Sequence, residues 1–87
     1  MQEIELQLFG VYREYDARGV IRLSVPKPAH IADLRAALAA YAKAHWPAFR
    51  PGLLAVSAFA SEHSLLRDAD LLPAASVMAV LPPVSGG

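Results

Sequence analysis

The residues best placed to do chemistry in this chain are its last ones. An apolar run, Val77-Met78-Ala79-Val80-Leu81, passes directly into Pro82-Pro83-Val84-Ser85-Gly86-Gly87. Each proline fixes its own φ and removes a backbone donor, so a strand running through Leu81 must leave its sheet there. Proline also disfavours helix in the residue before it, which makes Pro82-Pro83 an extended, stiff stem. Gly86 and Gly87 carry no β-carbon, so the end of the chain is thin and its carbonyl unhindered. Extended backbone spans about 3.3–3.6 Å per residue, so residues 82–87 could carry a carboxylate roughly 20 Å from the domain. A carboxylate held out in this way can enter a narrow partner active site and react there. Frayed chain ends are also often rich in glycine and proline. The direct succession of apolar strand, proline pair and terminal Gly-Gly is what favours a function here.

No other set of residues assembles a reaction. His30, His45 and His63 are widely spaced, with none at i+3 or i+4 from another, and read as solvated surface rather than metal ligands. Glu62, Asp68 and Asp70 lack the glycine and remaining positions of a calcium loop and read as a solvated turn. Ser57, Ser64 and Ser85 lie in no nucleophile elbow, and no glycine-rich phosphate loop occurs. Cysteine is absent, which removes disulfides, thiolate metal sites and a cysteine nucleophile. The sequence therefore predicts no active site of its own, no metal and no stably bound cofactor.

The bulk properties fit one small domain. Residues 1–87 suit one domain, with 82–87 as an extended and flexible tail. Hydrophobic residues make up 55% of the chain and its mean hydropathy is +0.33, so some apolar surface is expected to remain for docking. Eight basic and eight acidic residues cancel, which gives no electrostatic footprint for nucleic acid or an anionic membrane. Met1-Gln2-Glu3-Ile4-Glu5 lacks the basic and apolar regions of a signal peptide. No apolar stretch approaches the ~20 residues needed to span a bilayer. A cytoplasmic location is expected.

The elements that must position the tail can be read from periodicity. Ile4, Leu6 and Leu8 alternate with Glu5 and Gln7 as a half-buried strand, and Phe9 and Val11 extend its apolar character onto the other face. Glu14 to Gly19 is a polar turn, and Val20 to Val25 a second strand, making a hairpin with a long loop. Ile31, Leu34, Leu38, Tyr41 and Ala42 share one face of a helix that Trp46-Pro47 ends. Its N-cap would be Ala29 or His30, neither a strong capping residue. Leu54 to Phe59 reads as a third strand, Leu65 to Ala75 as a short strand or helical turn and a loop, and Ser76 to Leu81 as the last strand. The last strand's apolar residues do not alternate with polar ones, which predicts burial on both faces and a place in the middle of the sheet. The fold expected is α+β, a β-grasp or ubiquitin-like mixed sheet of four or five strands packed against one long helix. A ferredoxin-like fold would need a second full helix. Phe9, Tyr12, Val80 and Leu81 are candidate surface residues as well as candidate core. Leu81, at the end of the sheet, could anchor a partner.

Leu81-Pro82-Pro83-Val84-Ser85-Gly86-Gly87 resembles the C-terminal signature of the MoaD/ThiS sulfur-carrier family, most closely its small subunits of molybdopterin synthase. Leu8-Phe9-Gly10-Val11-Tyr12-Arg13-Glu14 is similar to the family's first strand, and Ile31-Ala32-Asp33-Leu34 to the opening of its long helix. Where the family commonly has Gly-Asp-Glu-Val before the last strand, this chain has Ala75-Ser76-Val77-Met78, and Ser57 stands where the family tends to have Asn. The resemblance implies that the Gly87 carboxylate is adenylated by a ubiquitin-activating-type enzyme with ATP, which that partner binds. A persulfide donor then supplies sulfur to give a C-terminal thiocarboxylate. It implies further that the tail inserts into the large subunit of molybdopterin synthase and donates sulfur to a cyclic pterin precursor for molybdenum cofactor biosynthesis. Gly87 would carry the reacting group and Gly86 would keep the tail thin, with Phe9, Arg13 and Leu81 as docking residues. Two other readings stay open: a different thiocarboxylate carrier or ubiquitin-like protein modifier, and an interaction domain whose tail has no chemistry.

Overall fold

Period-two alternation builds the first two strands. β1 (Gln2–Leu8) turns Ile4, Leu6 and Leu8 into the core, and β2 (Val20–Val25) turns in Ile21, Leu23 and Val25. They pair antiparallel, from Gln2 opposite Val25 to Gln7 opposite Val20. The computed structural model describes residues 1–74 and 77–83.

The expected extension of β1 through Phe9 and Val11 does not occur. Gly10 adopts φ +58°, a left-handed conformation that costs glycine little and turns the chain out of the strand. Tyr12, Arg13 and Glu14 then donate their backbone N–H groups to the carbonyls of Phe9, Gly10 and Val11, at 3.2, 3.1 and 3.0 Å. This winds the short helix α1 (Tyr12–Tyr15) and drops Tyr12, fully buried, into the core. Tyr12 and Val80 are therefore core, not docking surface. The Tyr12 hydroxyl lies 2.6 Å from Ser57 Oγ, which donates onward to the Leu53 carbonyl at 2.7 Å. Burial pushes the Tyr12 pKa up, so the hydroxyl stays protonated in this network.

The turn after α1 is held by Asp16. Its carboxylate accepts the Arg18 backbone N–H at 3.1 Å and the guanidinium at 3.0 and 2.8 Å, and Arg18 also donates to the Tyr41 hydroxyl at 3.0 Å. These bonds, chiefly the side-chain ones from Arg18, hold the Asp16 carboxyl at about 2, below its ordinary 3.8. A depressed carboxyl pKa adds stability above the unfolded value, and that stability disappears as pH falls through the folded value. Asp16→Asn should thus lower the melting temperature near neutral pH. The gap to the parent chain should close between about pH 4 and pH 2 in a series of melts. A gap that stays constant across that range would exclude this role.

α2 (Ile31–His45) buries Ile31, Leu34, Leu38 and Ala42, the face its sequence period requires. His30, weak as a side-chain cap, is supported instead by Asp33, whose carboxylate accepts the His30 backbone N–H at 2.7 Å. At the other end the Trp46 N–H donates to the Ala42 carbonyl at 2.8 Å, and Pro47 stops the helix. The Trp46 ring is buried and stacks on Tyr15, with centroids 5.5 Å apart.

The apolar run read as a third strand divides in two. Pro51 opens α3 (Pro51–Ala55), where its missing N–H costs nothing, and only Ala58–Ala60 forms β3. Arg35 fixes this junction from α2: it donates to the Leu54 carbonyl, to the Ser57 carbonyl at 2.9 Å and to Asp68 Oδ1 at 2.8 Å. Asp68 is thus an ion-pair partner and not merely part of a solvated turn.

With β4 (Leu65–Leu66) and β5 (Val77–Leu81), the described residues form one mixed sheet in the order β2-β1-β5-β3-β4. β5 is central, parallel to β1 and antiparallel to β3. Met78 and Val80 are buried, while Val77, Ala79 and Leu81 are half-buried on the other face. The unbroken apolar run of β5 therefore fills the core with one face and leaves the other as apolar sheet surface. A hairpin, a long helix across the sheet and a central last strand are the β-grasp arrangement.

Candidate functional site

The end of the sheet from which β5 leaves is also the end at which β1 stops. The parallel register sets Leu8 beside Val80, so the next positions outward, Phe9 and Leu81 and then Gly10 and Pro82, come together. Pro82 has no N–H to continue the ladder, and pairing stops at Leu81, opposite Ala58 of β3. Pro82 is half-buried and Pro83 exposed. Val84, Ser85, Gly86 and Gly87, on which the proposed tail chemistry rests, lie outside the described residues, as do Ala75 and Ser76.

The three docking candidates converge on this end. Phe9, 41% exposed, projects just past β1, and Leu81 lies on the same open face of the neighbouring strand. Arg13 lies one turn further on. Its guanidinium comes so close to Gly19 that a β-carbon there would sit 3.4 Å from Nε. Phe9, Arg13, Gly19 and Val20 line an open groove of about 370 Å³. On the other flank of the turn, Val11, Glu14, Tyr15, Arg50 and Leu53 line a second groove. Among the described residues Arg13 forms no ion pair.

Beyond Leu81 the open sheet face changes character from one edge to the other. Cross-strand pairing places Glu3, Glu5, Arg22 and Ser24 on the β1–β2 side, where Arg22 reaches Glu3 at 3.3 Å and Glu5 at 3.7 Å. It places Val77, Ala79, Leu81, Ala58, Ala60 and Leu65 on the β5–β3–β4 side, with Leu65 66% exposed. β5, the strand from which the stem leaves, is therefore the first strand of the apolar half and borders the charged one.

Chemically, the described residues at this end of the domain offer apolar side chains, one guanidinium and the start of a proline stem. Among the described residues no three His, Cys, Asp or Glu side chains gather as a metal site. No helix among them is long and apolar enough to cross a membrane. His30, His45 and His63 are exposed and far apart in sequence. Ser57 is buried in the Tyr12 network as a structural hydroxyl. The residue that sequence reading passed over is Gly10. Its signal was a lone glycine interrupting a strand-like run, which often marks a bulge or a close backbone approach.

No family model matches the chain, and no curated protein matches it. Among solved structures, SAMP1 from Haloferax volcanii has the same fold. It superposes with a TM-score of 0.71 at 24% sequence identity, over 98% of this chain and 99% of SAMP1. At that identity the likeness establishes the β-grasp fold.

Proposed function

We propose that this chain is a ubiquitin-like sulfur carrier, and within that class the small subunit of a molybdopterin synthase. The observation that carries the reading is the central strand β5. It runs out of the sheet through Leu81 into Pro82-Pro83, beside Phe9 and Arg13, with Val-Ser-Gly-Gly to follow. The β-grasp fold shared with SAMP1 supports a carrier or modifier kind of function.

The chemistry begins at Gly87. A carboxylate is a poor acyl donor until its oxygen is made part of a leaving group. A partner adenylating enzyme lets the carboxylate oxygen attack the α-phosphorus of ATP, with pyrophosphate leaving. The terminal sulfur of a persulfide then attacks the carbonyl carbon and displaces AMP. A thiol cleaves the resulting S–S bond, which leaves a thiocarboxylate and a disulfide on the donor side. Since this chain has no cysteine, the transferred sulfur can reside only at the terminal carbonyl. In the synthase, the thiocarboxylate would be the nucleophile delivered by the stem to the pterin precursor in the large subunit. Phe9, Leu81 and Arg13 dock the domain.

The test is the intact mass of the protein after incubation with its adenylating enzyme, ATP and a sulfur donor. The expected result is a gain of one oxygen-for-sulfur exchange that requires ATP. No gain, from an enzyme active on another carrier, would reject the carrier reading. Isopeptide linkage of the terminus to lysines would instead identify a protein modifier that uses the same activated carboxyl.

A further inference from the structure

The close approach of Gly10 to Pro82 goes beyond ending a strand. An ideal β-carbon built on Gly10 would stand 2.6 Å from Pro82 Cγ and 3.4 Å from Cδ, and 3.9 Å from Cβ. The first distance is below what non-bonded β-carbons show, and Cγ belongs to a ring closed onto the backbone nitrogen that can move it only by puckering, so a side chain at Gly10 must shift the proline. The turn cannot yield easily, because Arg13 donates its N–H to the Gly10 carbonyl at 3.1 Å and Leu8 donates to Gly19 at 2.9 Å. Gly10 is required twice over, by its φ of +58° and by the ring lying where its side chain would be.

We propose that Gly10 is a positioning residue, the seat on which Pro82 rests, and that this seat sets the direction in which Pro82-Pro83 leaves the sheet. The inference rests on the carrier reading for its functional consequence and on geometry alone for its structural one. A stem held only by the last pair of β5 would pivot about Leu81. Contact with the Phe9–Arg13 turn removes that freedom and sets the direction of Pro82-Pro83 relative to the docking residues Phe9 and Arg13. A partner that engages those residues then meets the base of the stem in a set direction. Misplacement of a reacting group by about 1 Å can cost ~100-fold in rate.

A double-mutant cycle separates the contact from backbone strain. Pro82→Ala removes Cγ and Cδ, the atoms a Gly10 side chain would strike, and leaves the φ requirement at Gly10 untouched. Gly10→Ala should slow ATP-dependent modification of the terminus at least about tenfold in the parent chain, and less than about twofold in the Pro82→Ala background. Equal losses in both backgrounds, or none in either, would overturn the proposal. If the parent chain gains no mass, the carrier reading fails, and the cycle is read instead from the amide shifts of Leu81 and Val80. Non-additive shifts there uphold the seat and additive ones reject it. Intact β1–β2 cross-strand contacts in the same spectra establish that each variant is folded.

Discussion

Removal of Gly87 is expected to abolish the ATP-dependent mass gain while leaving the fold and its stability nearly unchanged. Deletion moves the carboxylate onto Gly86 and draws it back by about 3.3–3.6 Å, the rise of one extended residue. Adenylation needs the carboxylate oxygen in line with the α-phosphorus, and a displacement of that size is several times the ~1 Å that already costs 100-fold. Adding one residue after Gly87 does the reverse: the carboxylate moves outward and the Gly87 carbonyl becomes an amide, a much poorer nucleophile. Both variants should fall to background in the mass assay. Among the described residues every buried core residue lies at or before Val80, and the stem leaves the sheet after Leu81, so neither change is expected to touch packing. Changes away from packed features usually stay within about 0.5 kcal/mol, which for a domain of this size is a melting shift of roughly 2–4 °C. A truncated chain that still gains sulfur would show that the reacting carbonyl is not the one at Gly87. A large drop in melting temperature would show that the terminus packs on the domain.

The parts of this arrangement that were legible in the sequence are those with a sustained period. Ile4, Leu6 and Leu8 alternate over a whole strand, and Ile31, Leu34, Leu38 and Ala42 recur over about three turns, so each pattern admits one element. β5 was legible for a different reason: its unbroken apolar run suits a strand inside the sheet, and burial on both faces was expected. Its central position followed, although only one of its faces is fully buried. The segment from Pro51 to Ala60 was not legible, because a short apolar run fits helix and strand alike. Arg35, which binds the Leu54 and Ser57 carbonyls from a residue far away in sequence, settles the matter. Gly10 was misread for the same kind of reason. Phe9 and Val11 on either side look like strand, and only the position of Pro82, distant in sequence, shows what the glycine is for. Docking candidates divided by how local their signal was. Phe9 and Leu81 flank strand ends and stayed accessible, whereas Tyr12 was drawn inward by α1 and by the Ser57 hydroxyl.

Phe59→Ala is expected to have the opposite consequence to loss of Gly87, removing stability without touching the chemistry. Phe59 is fully buried at the centre of β3, opposite Val80 of β5 on one side and Leu66 of β4 on the other. The Arg35 guanidinium stands 5.0 Å from its ring centroid while bonded to the Leu54 and Ser57 carbonyls. Truncation to alanine removes the ring from both strand pairs and from beneath the cation. The bonds from Arg35 to backbone keep the surroundings from collapsing into the space. Large-to-small changes of this kind cost about 3–5 kcal/mol, a large share of the roughly 5–15 kcal/mol that holds a domain together. For a domain of this size that is a fall in melting temperature of more than about 12 °C. A fall under about 4 °C, the equivalent of 1 kcal/mol, would mean that the ring contributes little and that α2 holds β3 by other contacts. Below its own melting transition the variant should still gain sulfur at the parent rate per folded molecule, because Phe59 is a fully buried core residue and none of the docking candidates. The converse result, a stable variant with slowed modification, would place β3 in the partner interface and move the docking surface from the Phe9–Leu81 end onto the apolar half of the sheet.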